Sequence, residues 1–268
     1  MDVSLDGQHV YASTGGREFD ASLPTVVLLH GAGMDHTAWQ FQARAFAYSG
    51  FSVLSLDLPG HGRSDDPALP TISQYTDIVV ALLDELDVSA ARILGISLGA
   101  YIAIDLAARF PSKVESVVLI GVAESMPVHP DLLAAAEADD HLAVELMTSW
   151  IHGRTAHMGG HPTPGLWMMG SSMRLLERAR PGVIHNDLAA CNDYDSASEL
   201  AVGITAPVLI LMGERDLMTR PAAAAPLAET LPNSRTVIVP DAGHMVMVEQ
   251  PDAVIDEVVQ FWQSAKTA

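Results

Sequence analysis

Short, almost wholly apolar runs punctuate the chain at TVVLLH (25–30), FSVLSLD (51–57), ARILGI (91–96), VESVVLIG (114–121), APVLILMG (206–213) and SRTVIVP (234–240). Runs of this length and β-branched content suit strands buried on both faces, as in a parallel sheet. Between them, TAWQFQARAFAYSG, ISQYTDIVVALLDEL, LGAYIAIDLAARF and PDAVIDEVVQFWQSA place apolar residues three and four apart, the spacing of a helix with one buried face. Ahead of them, residues 2–13 alternate around Leu5-Asp6-Gly7-Gln8, where Asp-Gly supplies the positive φ angles of a tight hairpin. This order predicts an α/β protein: a mostly parallel twisted sheet with right-handed crossovers and helices on both faces. Ligands of such a sheet sit beyond the carboxyl ends of its strands.

The alternation fails between residues 122 and 205. Helical patterns follow one another there without a strand, in PDLLAAAEADDHLAVELMTSWIHG, GLWMMGSSMRLLERAR and VIHNDLAACNDYDSASELA. The segment leaves after the sixth strand and returns at the next. It is therefore expected to be a helical cap (122–205) on a core formed by 1–121 and 206–268.

Composition narrows the function. The chain has 268 residues, 49% of them hydrophobic, which suffices for one large core. A net charge of -19, from 33 acidic and 14 basic residues, repels phosphate backbones and anionic headgroups, so nucleic acid is not an expected partner. No apolar run reaches the roughly 20 residues of a membrane helix, so no membrane insertion is expected. The opening MDVSLDGQHVYASTGG lacks the basic start and apolar run of a secretory signal, and Cys191 is the single cysteine. A cytoplasmic protein, monomeric or homodimeric, is the expectation.

Gly95-Ile96-Ser97-Leu98-Gly99 joins the run ARIL to the helix LGAYIAIDLAARF, the strand–turn–helix context of a nucleophile elbow. A serine there is held in a strained conformation that exposes its hydroxyl, and flanking glycines relieve the crowding. The first amides of the following helix, Leu98 foremost, would face a developing oxyanion.

From these residues the chain resembles the α/β-hydrolase family, with the match running over nearly the whole core and weakest in the cap. His30-Gly31-Ala32-Gly33 resembles the family's oxyanion loop, which implies the Ala32 amide as a second donor. Leu58-Pro59-Gly60-His61-Gly62-Arg63-Ser64 is similar to a supporting loop with no catalytic role. The resemblance places the acid after the penultimate strand, at Asp216, with Glu124 as the alternative after VVLIG. It places the base after the last strand, at His244. The order Ser97, Asp216, His244 is the one this fold uses. The implied reaction is hydrolysis of small to medium, largely apolar esters through an acyl-enzyme, with no metal or organic cofactor.

Gly31, Met34, Trp150, Trp167, Met168 and Met245 are the expected pocket residues, since methionine and tryptophan gather in the cap and beside the catalytic loops. His152, His157 and His161 lie in a Gly/Pro-rich stretch that suits a surface loop better than a zinc site. Cys191 reads as a small buried hydrophobe. Rival readings are cleavage of carbon–carbon bonds in dienoic ring-fission products, perhydrolysis through the same acyl-enzyme, and a ligand sensor that keeps the same three residues. Ile96 beside Ser97 and Met245 after His244 depart from the carbon–carbon hydrolase pattern.

Overall fold

A computed structural model describes residues 1–265. Eight strands form one sheet in the order β1-β2-β4-β3-β5-β6-β7-β8. β1 (Asp2–Leu5) and β2 (Gln8–Ser13) make the antiparallel hairpin, with Asp6 and Gly7 at φ 48° and 88°. The other six are β3 (Thr25–Leu29), β4 (Ser52–Leu56), β5 (Ala91–Ile96), β6 (Val114–Ile120), β7 (Val208–Gly213) and β8 (Ser234–Val239). They run parallel to one another; β8 differs from the expectation of burial on both faces, because it is the edge strand and only Val239 in it is buried.

Helices cover both faces. α1 (Gln40–Tyr48) and the C-terminal Pro251–Ala265 bury Phe46, Val254, Val258 and Trp262 on one side. α2 (Ile72–Glu85) and α3 (Leu98–Arg109) bury Tyr75, Leu82, Tyr101 and Ile104 on the other. Both faces of the central strands are thereby removed from water, and every residue of β3, β4, β5 and β7 is buried.

Between β6 and β7 the described chain contains helices and no strand: α4 (Pro130–Glu137), α5 (His141–Trp150), α6 (Arg154–His157), α7 (Met168–Leu176), α8 (Val183–Asn192) and α9 (Ala197–Ala201). The three helical segments read from sequence are broken further than the apolar spacing suggests. Asp139 at φ 49° ends α4, and the Asp140 carboxylate accepts the Leu142 amide at 2.9 Å to start α5. Competition of this kind between Asp side chains and the helix ladder leaves no trace in the hydrophobic pattern. α8 and α9 pack on α3, so the inserted helices lie against the core. No described helix is long and apolar enough to cross a membrane.

Leu28 sits wholly buried in the middle of β3. Leu28→Ala is expected to lower unfolding free energy by about 2–5 kcal/mol, read from urea denaturation, because a central strand cannot collapse to fill the void.

Candidate active site

Ser97 stands between β5 and α3 with φ 54° and ψ -114°, outside the regions a side chain ordinarily allows. Its backbone is held from both sides. The Ser97 amide donates to the Ile120 carbonyl at 2.9 Å, while its carbonyl accepts the Ala100 amide at 2.9 Å. The turn needs backbones almost in contact: a Cβ on residue 95 would lie 2.0 Å from the Gly99 carbonyl oxygen, and one on residue 99 would lie 2.3 Å from that of Leu29. Glycine at these two positions is a steric requirement.

Asp216 follows β7 and His244 follows β8, so both come from the carboxyl ends of neighbouring strands. His244 Nδ1 donates to Asp216 Oδ2 at 2.8 Å, and both side chains are buried. Asp216 Oδ1 also accepts the amides of Met218 (2.8 Å) and Thr219 (2.9 Å), and the Thr219 hydroxyl donates to Oδ2 at 2.9 Å. The carboxylate is thus pinned by its own loop and cannot rotate away from the imidazole. With Nδ1 as donor, the neutral ring keeps Nε2 as its acceptor. The ring rests on backbone: a Cβ on residue 121 would lie 2.5 Å from His244 Cε1. Glu124, the other acid considered, is exposed and accepts the Ser198 hydroxyl at 2.9 Å, away from His244.

Ser97, His244 and Ala32 line one cavity of about 550 Å³, whose walls include Met126, Leu132, Trp150, Leu188, Met218 and Arg220. Among the described residues, neither the Ala32 nor the Leu98 amide donates to a protein acceptor. Of the expected pocket residues, Trp150 lines this cavity. Trp167 does not: it is 66% exposed. Met34, Met168 and Met245 are buried in the core beneath the loops, and Gly31 lies against Met34. The richness of the region in Met and Trp gave no information on which side chains reach the cavity and which fill space behind it.

The histidines of the insert are likewise not a surface cluster. His152 and His161 are buried, with Nε2 of His152 bonded to the Ser172 hydroxyl at 2.8 Å and Nε2 of His161 to the Val248 carbonyl at 2.8 Å. His157 is exposed and bonds the Ser149 carbonyl at 3.0 Å. Cys191 is buried as expected, but it also lines the cavity, where burial pushes its thiol pKa far up.

Two buried carboxylates that sequence reasoning passed over tie the inserted helices to the loops around the cavity. Asp187, on α8, accepts the Gly33 amide (2.8 Å), His61 Nε2 (2.7 Å) and the Tyr75 hydroxyl (3.0 Å). Glu249 accepts the Gly243 amide, next to His244, and the Gly153 amide of the insert, both at 2.9 Å. Burial opposes ionisation of both Asp187 and His61. Their mutual attraction overrides it, holding the carboxyl pKa below and the imidazole pKa above the ordinary values. His30 is different. Its Nδ1 donates to the Gly31 carbonyl and its Nε2 accepts the Leu58 amide, so the ring is held neutral. Burial, helped by the charge of His61, lowers its pKa to about 4.

Residues 26–257 match the family model described as the alpha/beta hydrolase family. A pimeloyl-[acyl-carrier protein] methyl ester esterase of Aromatoleum aromaticum is 32% identical over 257 residues, covering 88% of this chain and 98% of the relative. The carboxylesterase YbfK of Bacillus subtilis is 27% identical, covering 89% of this chain and 80% of that one. Among solved structures, the enol-lactonase from Burkholderia xenovorans superposes with a TM-score of 0.87 at 27% identity, over 98% of this chain and all of the other.

Two outcomes are expected from the buried polar groups. Asp187→Asn leaves His61 buried without its counter-charge and should lower stability by about 3 kcal/mol or more, measured by urea denaturation near neutral pH. His30 gives a pH effect. Its folded pKa of about 4 lies below the ordinary 6.5, so the stability tied to its neutral form is full above pH 6.5 and is lost as pH falls toward 4. The margin of the wild type over His30→Gln should therefore narrow between about pH 7 and about pH 4.5, read from urea midpoints. A constant margin would contradict this assignment.

Proposed function

The chain belongs to the alpha/beta hydrolase family, and on that premise we propose that it is a serine hydrolase cleaving carboxylic esters of small to medium, largely apolar substrates. One observation carries the reading: a serine at positive φ lines the same cavity as a buried histidine whose Nδ1 is bonded to the buried Asp216 carboxylate. The esterase names of its relatives support it.

His244 Nε2, left as acceptor by the Nδ1 bond to Asp216, takes the Ser97 proton as Oγ attacks the ester carbonyl. Asp216 keeps the imidazole in that tautomer and stabilises its charged form, and Thr219 holds Asp216 in place. The amides of Ala32 and Leu98 receive the oxyanion of the tetrahedral intermediate. The carbon–oxygen bond to the alcohol then breaks, the alcohol leaves with the proton from His244, and an acyl group remains on Ser97. Water repeats the sequence, with His244 again as base, and frees the acid. Every step uses protein groups and water alone.

The helices between β6 and β7 act as a cap in this reading, supplying Trp150, Leu132 and Leu188 as the apolar wall that receives the substrate.

Ser97→Ala and Asp216→Asn are each expected to lower kcat/KM on a chromogenic short-chain ester by about 10⁴-fold or more, with the unfolding midpoint of Ser97→Ala close to the parent's. A Ser97→Ala protein as fast as the wild type would remove the nucleophile from the scheme. Rapid turnover without any protein partner would also separate a hydrolase from a ligand sensor.

A further inference from the structure

Arg220 is the one Asp, Glu, Lys or Arg side chain among the residues lining the cavity that holds Ser97 and His244. The same residue, together with Leu217, lines a neighbouring cavity of about 540 Å³ that also contains Arg154, Arg215 and His157. The two spaces therefore share a wall, and that wall carries a guanidinium. Three of the chain's 14 basic residues gather on this second cavity in a protein with 33 acidic ones.

The carboxylates nearby are engaged with other groups. Both Asp216 oxygens are taken up by His244, Thr219 and the Met218 amide. Glu214 accepts the Asp241 amide and lies 3.6 Å from Arg215, which lies 3.9 Å from Asp241. Among the described residues, neither Arg154 nor Arg220 has a carboxylate within 4.0 Å. With a net charge of -19 the protein's general field repels anions, so an anion reaching this edge is held by local guanidinium groups.

We propose that the substrate is an ester whose apolar chain ends in an anionic oxygen group, a carboxylate or a phosphate, which binds Arg220 and, beyond it, Arg154. This rests on the hydrolase reading and adds the substrate class to it. The ester carbonyl meets Ser97, the carbon chain lies along Met218 and Leu217, and the anion reaches the shared wall. A guanidinium offers paired N–H donors to either kind of oxyanion. Because both arginines are exposed, the gain is moderate and salt-sensitive.

The test compares three para-nitrophenyl esters of equal chain length: the hexanoate, the monoadipate, and the analogue ending in phosphate, each corrected for spontaneous hydrolysis. The wild type is expected to favour at least one anionic ester over the hexanoate in kcat/KM by about fivefold or more, chiefly through KM. The larger ratio identifies the carboxylate or the phosphate. That ratio should fall about fivefold in Arg220→Gln, fall less in Arg154→Gln, be partly kept in Arg220→Lys, and decline with added salt in the wild type. A wild-type ratio of one or below, or a ratio that Arg220→Gln leaves unmoved, overturns the proposal. Should Arg220→Gln not fold, Arg220→Lys and the salt series decide.

Serine-dependent turnover of the hexanoate without anion preference sinks this inference alone. Absence of turnover that depends on Ser97 sinks the hydrolase reading. In that event the contrast is read as binding: monoethyl adipate, but not ethyl hexanoate, should raise the Tm of the wild type and lose that effect in Arg220→Gln.

Discussion

The close approach of backbone to backbone at the end of β5 governs the rest of the site. Gly95 passes within reach of Gly99, and Gly99 passes within reach of Leu29, so the chain reverses from strand to helix inside a single residue. That residue is Ser97, forced to φ 54° and held there by hydrogen bonds to Ile120 and Ala100. The strain is local, whereas its support is distributed through the buried strands on either side, β3 and β6. Had either glycine carried a side chain, the serine would retreat from the cavity and the helix amides would point elsewhere.

The second requirement is that the loops around that serine keep their positions although they come from distant parts of the chain. Buried carboxylates meet it twice. Asp187 joins the loop containing Ala32 to α8 and to the His61 loop, and Glu249 joins the His244 loop to the insert at Gly153. Each carboxyl group is enclosed and bonded by donors, so removing a partner exposes the full cost of an unsatisfied buried group. The inserted helices are consequently continuous with the loops around the cavity in a mechanical sense. The His61 loop, which sequence alone suggested to be supporting, is the element through which one of these ties passes.

The cavity enclosed by this arrangement is mostly apolar, yet it is bounded by an arginine that the acidic surface does not neutralise. Sequence composition pointed toward apolar substrates because Met and Trp are frequent in the insert. Position tells a finer story: Trp167 faces solvent, Met168 and Met245 fill the core, and Met126, Met218 and Arg220 meet the open space.

Periodicity and glycine placement were enough to specify a mostly parallel α/β sheet, its eight strands and the turn at Ser97, and the resemblance carried by those residues added the α/β-hydrolase fold, because buried parallel strands and a strand-to-helix reversal each demand residue types that stand out along a single chain. The resemblance singled out Asp216 and His244 by their places after strands, which are visible as ends of apolar runs, and the structure bonds the two side chains to each other. Tertiary structure alone decided the contacts of Asp187, Glu249, Thr219 and Gly121 and the place of Arg220 on the cavity wall. Asp187, Glu249 and Gly121 act through contacts with residues far along the chain, and a buried carboxylate, a glycine beneath an imidazole and an arginine on a cavity wall look in sequence like any other Asp, Glu, Gly or Arg.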